Sequence, residues 1–324
     1  MTSAVLPPAV RRRDVRIDYA GSALLTTVIS AIVLVTTWGG TDFAWSSPVI
    51  VGLTLAAFAA LGLFVAVERR APEPVLPLRL FRDEVFSLSS AVSFIVGVAM
   101  FGGISYLPLF LQVVGGASAT NSGLLLLPLM GGLLATSIAS GQVISRTGRY
   151  RWFPIAGTAI ASGALALMST MSEETSRLMS GLYMFMLGGG IGLVMQVLVI
   201  AMQNSVATRD VGVATSSVNF FRSVGGSVGV ALFGTLFNAR FATEASDAAA
   251  RVGTQMTPEM IRALPDDVHT DYVSAMASSL TTVFAWAVPV MVVGFVLAWF
   301  LRERPLKTSH DEAHETRVLE AVGV

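Results

Sequence analysis

Arg222 stands inside an apolar stretch, 213–237, that holds no other charge. Of the 21 basic and 21 acidic residues it alone falls within one of the long apolar windows of this chain. A cation so placed ordinarily faces protein or a water-filled cavity, because holding it in hydrocarbon costs at least ~2.5 kcal/mol. Four uncharged hydrogen-bonding side chains, Gln112, Gln196, Gln203 and Asn219, also lie within or at the ends of apolar windows. Five of the 14 methionines, Met179, Met184, Met186, Met195 and Met202, share the single window 178–203. Methionine at this density serves either as plain filling or as a surface that re-packs around varied apolar molecules. Together these residues could line a cavity that holds an apolar molecule, with Gln112, Gln196, Gln203, Asn219, Arg222, Met184 and Met195 as its candidates. For the amides, hydrogen bonding between helices, worth about 0.6 kcal/mol in membranes, is the alternative role.

Bond-making chemistry has little to work with. No Asp, Glu or His falls in an apolar window, His269, His310 and His314 all lying outside them, and there is no cysteine. That removes the general base, the thiolate and the metal-ligand cluster on which a membrane-embedded enzyme would depend, so neither enzyme, metal nor cofactor is expected. The formal net charge is zero, and nothing supports nucleic-acid binding.

The elements that must position these residues are membrane helices. Hydrophobic residues make up 53% of the chain and charged residues 13%, with mean hydropathy +0.69, whereas a soluble domain is about one quarter charged. Apolar runs long enough to cross a ~30 Å hydrocarbon core occupy 20–38, 48–67, 86–112, 121–144, 152–171, 178–203, 213–237 and 279–301. They are continuous rather than alternating, which makes them helices and not barrel strands. Basic residues cluster on every second loop: Arg11, Arg12, Arg13 and Arg16; Arg69, Arg70, Arg79 and Arg82; Arg146, Arg149 and Arg151; Arg209; then Arg302, Arg304, Lys307 and Arg317. Only Arg177, Arg240, Arg251 and Arg262 fall on the opposite side. The positive-inside rule makes the first side cytoplasmic, so the chain is expected to be a multi-pass protein of the cytoplasmic (inner) membrane with both termini inside.

Residues 1–19 are polar, with Pro7 and Pro8 before the first window, and read as a cytoplasmic linker rather than a cleaved signal. A two-helix hairpin, 20–67, follows, its outer turn flanked by Trp38 and Trp45 as interfacial anchors. The stretch 68–85 is punctuated by Pro72, Pro74 and Pro77 and separates the hairpin from six further spans, 86–301. Those six divide into two triplets, the arrangement of one half of a transporter built from nested inverted repeats. The last triplet is interrupted by an outer loop, 238–278, in which Thr257, Pro258 and Glu259 look like the start of a short helix, and the chain ends in a cytoplasmic tail, 302–324. The fold expected is an all-α membrane protein of about eight transmembrane helices, six plus two, with the lipid bilayer as its principal partner. Gly188, Gly189, Gly190 and Gly192 in one window and Gly225, Gly226, Gly229 and Gly234 in another form small-residue faces that let helices approach closely.

Several of these segments resemble the 14-helix drug:proton antiporters of the major facilitator superfamily. RIDYAGSALLTTVISAIVLVTTWGG looks like the first of the two helices those proteins insert between their six-helix halves. PLRLFRDEVF resembles the lead-in to their second half, YLPLFLQVVGGASATNSGLLLLPLMGG its first helix pair, and GVATSSVNFFRSVGGSVGVALFG the penultimate helix. The resemblance implies a C-terminal portion, the linker hairpin plus a major facilitator half-bundle of six, whose N-terminal transporter half is not in this chain. It implies that the first, second, fourth and fifth helices of the six-helix unit line the pathway, with the third and sixth toward lipid. GQVISRTGRYR is similar to the superfamily's cytoplasmic loop signature, with Gly141, Arg146, Gly148, Arg149 and Arg151 in place and Ser145 where an Asp often stands, so half of the latch of charge pairs is missing. The same basic residues also serve as ordinary positive-inside loop chemistry.

On this reading the chain is part of a proton-driven exporter of hydrophobic drugs or metabolites, inactive without a partner half, because in that family the titratable groups reside largely in the other half. The alternative is a non-transporting truncated membrane protein, or an interaction partner of other transporters. Arg222 separates two structural outcomes. If its helix enters the hydrocarbon at Val213 the arginine lies about 14 Å deep, and if at Val218 only about 6 Å, shallow enough to snorkel. A cavity or interbundle position is the expectation.

Overall fold

The computed structural model describes residues 18–306 other than 41, 72–73, 246–259 and 262–263. The expectations for Arg11, Arg12, Arg13, Arg16, Arg251, Arg262, Lys307 and Arg317, for Pro7, Pro8 and Pro72, for the helix start at Thr257, Pro258 and Glu259, and for His310 and His314 lie outside these residues. Among the described residues, regular structure is helical apart from one isolated bridge between Gly39 and Phe43. Among these residues seven helical stretches are long and apolar enough to cross a membrane, and an eighth apolar helix is shorter, at 17 residues.

Helices α1 (Tyr19–Trp38) and α2 (Pro48–Glu68) form an antiparallel hairpin. Each starts on a side-chain cap, Asp18 accepting from the Gly21 N–H and Ser47 from the Ile50 N–H, with Pro48 at the first helical position where its missing N–H costs nothing. A 3₁₀ turn, Leu78–Arg82, leads into α3 (Glu84–Ile104), capped by Asp83. The six-helix unit continues with α4 (Leu127–Thr147), α5 (Trp152–Met168), α6 (Arg177–Ser205), α7 (Val211–Glu244) and α8 (Asp266–Trp299).

Two windows expected as single helices are broken. The window 86–112 stops at Ile104, resumes as one turn, Leu107–Leu109, and ends in a π-helical segment, Phe110–Val114. The window 121–144 divides into Ala119–Leu125 and α4. A proline follows each break, Pro108 and Pro128, and a proline neither donates the i→i−4 hydrogen bond nor leaves room for the preceding turn. The outer loop is also shorter than 238–278, because α7 runs on to Glu244 and α8 begins at Asp266. Both extensions continue helices already nucleated, and they pack against each other through Phe241 and Tyr272, which with Val273 and Met276 join the main core. His269 therefore lies on α8 rather than in a loop.

Packing pairs α3 with α7, α4 with α6, and α5 with α6 and α8, while α8 also touches α3 and α7. Glycine permits the tight crossings. A Cβ at Gly188 would overlap the backbone carbonyl of Leu129 on α4, and one at Gly192 would overlap Leu133 and Thr136. At Gly225 and Gly229 it would overlap the carbonyls of Phe94 and Val98 on α3, and at Gly226 the Phe101 ring, while Gly97 presents the same bare surface to the Arg222 carbonyl. Helix α6 is the central element, with 61% of its span buried, against 17% for the span containing α4 and 28% for that containing α7.

Candidate functional site

Along the seam where α6 meets α7, polar side chains form a ladder. Near the end of α6, Gln203 donates from Nε2 to Thr215 Oγ1 at 2.8 Å, tying the two antiparallel helices in register. One turn further along α7, Asn219 donates from Nδ2 to the Thr215 carbonyl at 3.3 Å, and its Oδ1 accepts from the Arg222 guanidinium. With Gln203 opposite Thr215, stepping seven residues along each helix brings Gln196 to the level of Arg222. Arg222 itself is eleven residues beyond the start of α7, about 16 Å along the helix axis. Its carbonyl abuts Gly97, so the backbone is held against α3 while the side chain stays half-exposed; Asn219 and Gln196 are exposed. Gln203, Asn219, Arg222 and Gln196 thus share one strip of the molecule.

The remaining candidates lie elsewhere. Gln112, carried by the π segment, donates to Ser122 Oγ at 3.0 Å and links the two proline-broken windows at the far end of the bundle. Met184 is 1% exposed and faces Phe110 and Leu111 across a small cavity at that same end. Met195 is half-buried against the main core. The expected pathway residues therefore fall into a seam group, Gln196, Gln203, Asn219 and Arg222, and a far-end pair, Gln112 and Met184, with Met195 packed against the core apart from both.

The opposite face carries the loops expected to be basic. Gly148 adopts φ 70°, the left-handed conformation that ends α4, and its N–H caps the Ile144 carbonyl at 2.8 Å. Arg146 and Arg149 are exposed, and Arg151 donates to the Trp299 carbonyl at 3.1 Å. Ser145 donates to the Gln142 carbonyl within its own turn, and a Cβ at Gly141 would meet open space.

Sequence reading counted only the cations on this face and missed the acids that hold it together. Arg79, in the 3₁₀ turn, grips Asp210 with both terminal nitrogens, at 2.7 and 3.0 Å, and Asp210 is 5% exposed. Such fork-to-fork pairing adds geometry to charge. Arg304 reaches Asp83 at 2.8 Å and Arg302 reaches Glu84 at 3.2 Å, so the end of α8 is joined to the start of α3. Tyr150, fully buried between α4 and α5, accepts from the Arg304 N–H at 3.0 Å and donates to the Arg302 carbonyl at 3.3 Å, while its own N–H donates to Glu303. Burial pushes the Tyr150 phenol above its ordinary pKa, which keeps its proton available to that carbonyl. The available signal was the placement of Asp83 and Asp210 immediately before helices that begin on the same side as the arginine clusters.

Comparison with known proteins follows from this architecture. The chain is 45% identical over 319 residues to an uncharacterized MFS-type transporter of Mycobacterium tuberculosis, the match covering 97% of this chain and 46% of that protein. The chain thus spans about half the length of this relative. It is 32% identical over 334 residues to the tetracycline resistance determinant of Streptomyces rimosus, covering 91% of this chain and 94% of that protein, and 30% identical to the multidrug transporter protein MdtP of Bacillus subtilis, covering 93% and 61%. Its fold matches a bacterial homolog to the human lysosomal transporter Spinster, in an inward-facing and occupied conformation, with TM-score 0.56, 16% identity and coverage of 88% of this chain and 68% of that one. The family model of the Major Facilitator Superfamily matches residues 6–230, and by that match, the relatives and the helical membrane fold together, this chain belongs to the Major Facilitator Superfamily of transporters.

Proposed function

We propose that the chain is the C-terminal part of a 14-helix, proton-driven exporter of hydrophobic drugs or metabolites, supplying the linker hairpin α1–α2 and the six-helix half α3–α8. The observation that carries this reading is the polar ladder of Gln203, Asn219, Arg222 and Gln196, which runs deep along the α6–α7 seam and stays open on its outward side. A transporter's pathway has this character: apolar helices with a few fixed hydrogen-bonding groups near mid-depth, at the interface between two repeats. Helix α4 agrees with it. Leu127, Met130, Leu134 and Ile138 form an exposed apolar stripe there, and Cβ atoms at Gly131 and Gly141 would meet nothing. A second six-helix bundle packed against α4 and α7 would cover that stripe and enclose the ladder as a cavity wall.

In this arrangement Arg222 and Asn219 orient a polar group of the substrate, Met184 and Met195 adapt to its apolar body, and Gly188, Gly192, Gly225, Gly226 and Gly229 set the helix spacings. The loop Gly141, Arg146, Gly148, Arg149 and Arg151 faces the cytoplasm together with both termini and contacts the second bundle. Proton coupling resides in that second bundle, since the apolar windows of this chain hold no carboxylate or histidine. Named activities among the relatives, multidrug transport and tetracycline resistance, support this substrate class.

The test is a drug-susceptibility assay in a sensitive bacterial host. The chain is expressed alone and together with an N-terminal six-helix half taken from the Mycobacterium tuberculosis relative. Resistance only when both are present is expected. Full resistance from this chain alone would sink the proposal, and stable expression without transport in any pairing would favour a non-transporting interaction partner.

A further inference from the structure

Asp18 and Glu68 close the foot of the α1–α2 hairpin with two carboxylates that face each other. Each has one oxygen satisfied by backbone: Asp18 Oδ1 accepts from the Gly21 N–H at 2.7 Å, and Glu68 Oε1 accepts from the Leu76 N–H. The other oxygen of each, Asp18 Oδ2 and Glu68 Oε2, is buried and has no hydrogen-bond partner among the described residues. Both converge on the bare face of Gly21, where a methyl would lie 3.0 Å from Glu68 Oε2 and would overlap Asp18 Oδ2. Glu68 is only 4% exposed. Arg69 and Arg70 follow it in sequence but are exposed, and among the described residues no arginine or lysine pairs with either carboxylate.

The geometry points to a one-proton binding site shared by Asp18 and Glu68. Two carboxylates turned toward each other, with no cation between them among the described residues and one of them removed from water, do not both ionise. A single proton on Glu68 Oε2, donated to Asp18 Oδ2, satisfies both orphaned oxygens at once and draws the start of α1 to the end of α2. Loss of that proton places two like charges across Gly21 and loosens the foot of the hairpin. The site is thus a proton-sensitive clasp between the hairpin and the 68–85 linker. It is independent of the transport reading, since it requires no second bundle and no substrate.

The experiment labels the full chain in detergent with dicyclohexylcarbodiimide, which modifies protonated carboxyls in apolar surroundings, and maps the adducts by mass spectrometry across a pH series. At neutral pH, Glu68 is expected to be modified several-fold more than the exposed Glu173 and Glu174, with labelling lost through one transition as pH rises. Asp18→Asn should move that transition down by about one pH unit or more, because the neighbouring negative charge is gone. Since burial can shield Glu68 from the reagent, infrared spectra provide a second reading: an acid carbonyl band present at neutral pH in the unmodified chain and absent in Glu68→Gln. No Glu68-dependent band and no labelling at neutral pH would overturn the proposal. A transition unmoved by Asp18→Asn would reduce Glu68 to an ordinary buried acid, and labelling abolished by sodium or potassium ions would replace the proton with a metal cation; either result overturns it.

Discussion

At the scale of single residues, two arginines illustrate how surroundings decide what a charge does. Arg222 lies about 16 Å along α7 from the start of that helix, with Asn219 as its hydrogen-bond partner, and on the proposed reading it is a binding group rather than an anchor. If the proposed function holds, Arg222→Gln in the chain paired with the N-terminal half should lower drug efflux by about tenfold or more at unchanged membrane abundance, read as accumulation of a fluorescent substrate. Efflux equal to that of the parent would remove Arg222 from the pathway. Arg79 is a different case, since its value lies in the acid it neutralises. Arg79→Ala leaves Asp210 buried without its bidentate partner, which should destabilise the chain by about 1–3 kcal/mol. Arg302→Ala breaks a pair with Glu84 whose arginine side chain is 75% exposed, and should cost about 0–1 kcal/mol. Thermal unfolding of the two variants in the same detergent separates these cases, and equal effects would argue against the Asp210 pair as a fastening point.

At the scale of the helix, the glycines divide by what lies opposite them. Gly188 faces the backbone carbonyl of Leu129, which cannot rotate away as a side chain could, so Gly188→Ala forces α4 and α6 apart. The expected loss is about 1–3 kcal/mol, the usual cost of overpacking. Gly141 sits on the uncovered side of α4, where a methyl meets nothing, and Gly141→Ala should be neutral or stabilise the isolated chain by up to about 1 kcal/mol through better helix propensity. Comparing melting temperatures checks both signs. Should Gly141→Ala nonetheless impair transport, the contact it disturbs would be one with the proposed second bundle. The proline breaks before Pro108 and Pro128 belong to this scale as well: they set the π segment that turns Gln112 toward Ser122.

At the scale of the whole molecule, alternate loops gather on one face, where Arg79–Asp210, Arg304–Asp83 and Arg302–Glu84 join the linker, α3, α7 and the end of α8. The excess of arginine on that face is what the positive-inside rule expects of a cytoplasmic face, and labelling tests that orientation. Because the chain has no cysteine, single cysteines report its topology without a prior background substitution. Glu173→Cys, between α5 and α6, should react with a membrane-impermeant maleimide added to intact cells. Arg149→Cys, between α4 and α5, should react only after permeabilisation. The reverse pattern would invert the molecule and place both ends outside.

Sequence alone determined the membrane class, the number of apolar spans and the alternation of basic loops, because each follows from local composition: about twenty apolar residues cross a bilayer whatever their neighbours do. It also singled out Arg222, since a charge within an apolar run is visible without any fold. What it could not supply was partnership across the chain. That Gln203 meets Thr215, that Asp210 receives Arg79, and that Asp18 turns toward Glu68 across Gly21 depend on the order in which helices pack. Acids counted as loop charges became fasteners, and Glu68, at the edge of its apolar window, became a buried carboxylate. Only the tertiary structure decides such pairings, because a hydrogen bond is specified by distance and direction between groups that stand far apart in sequence.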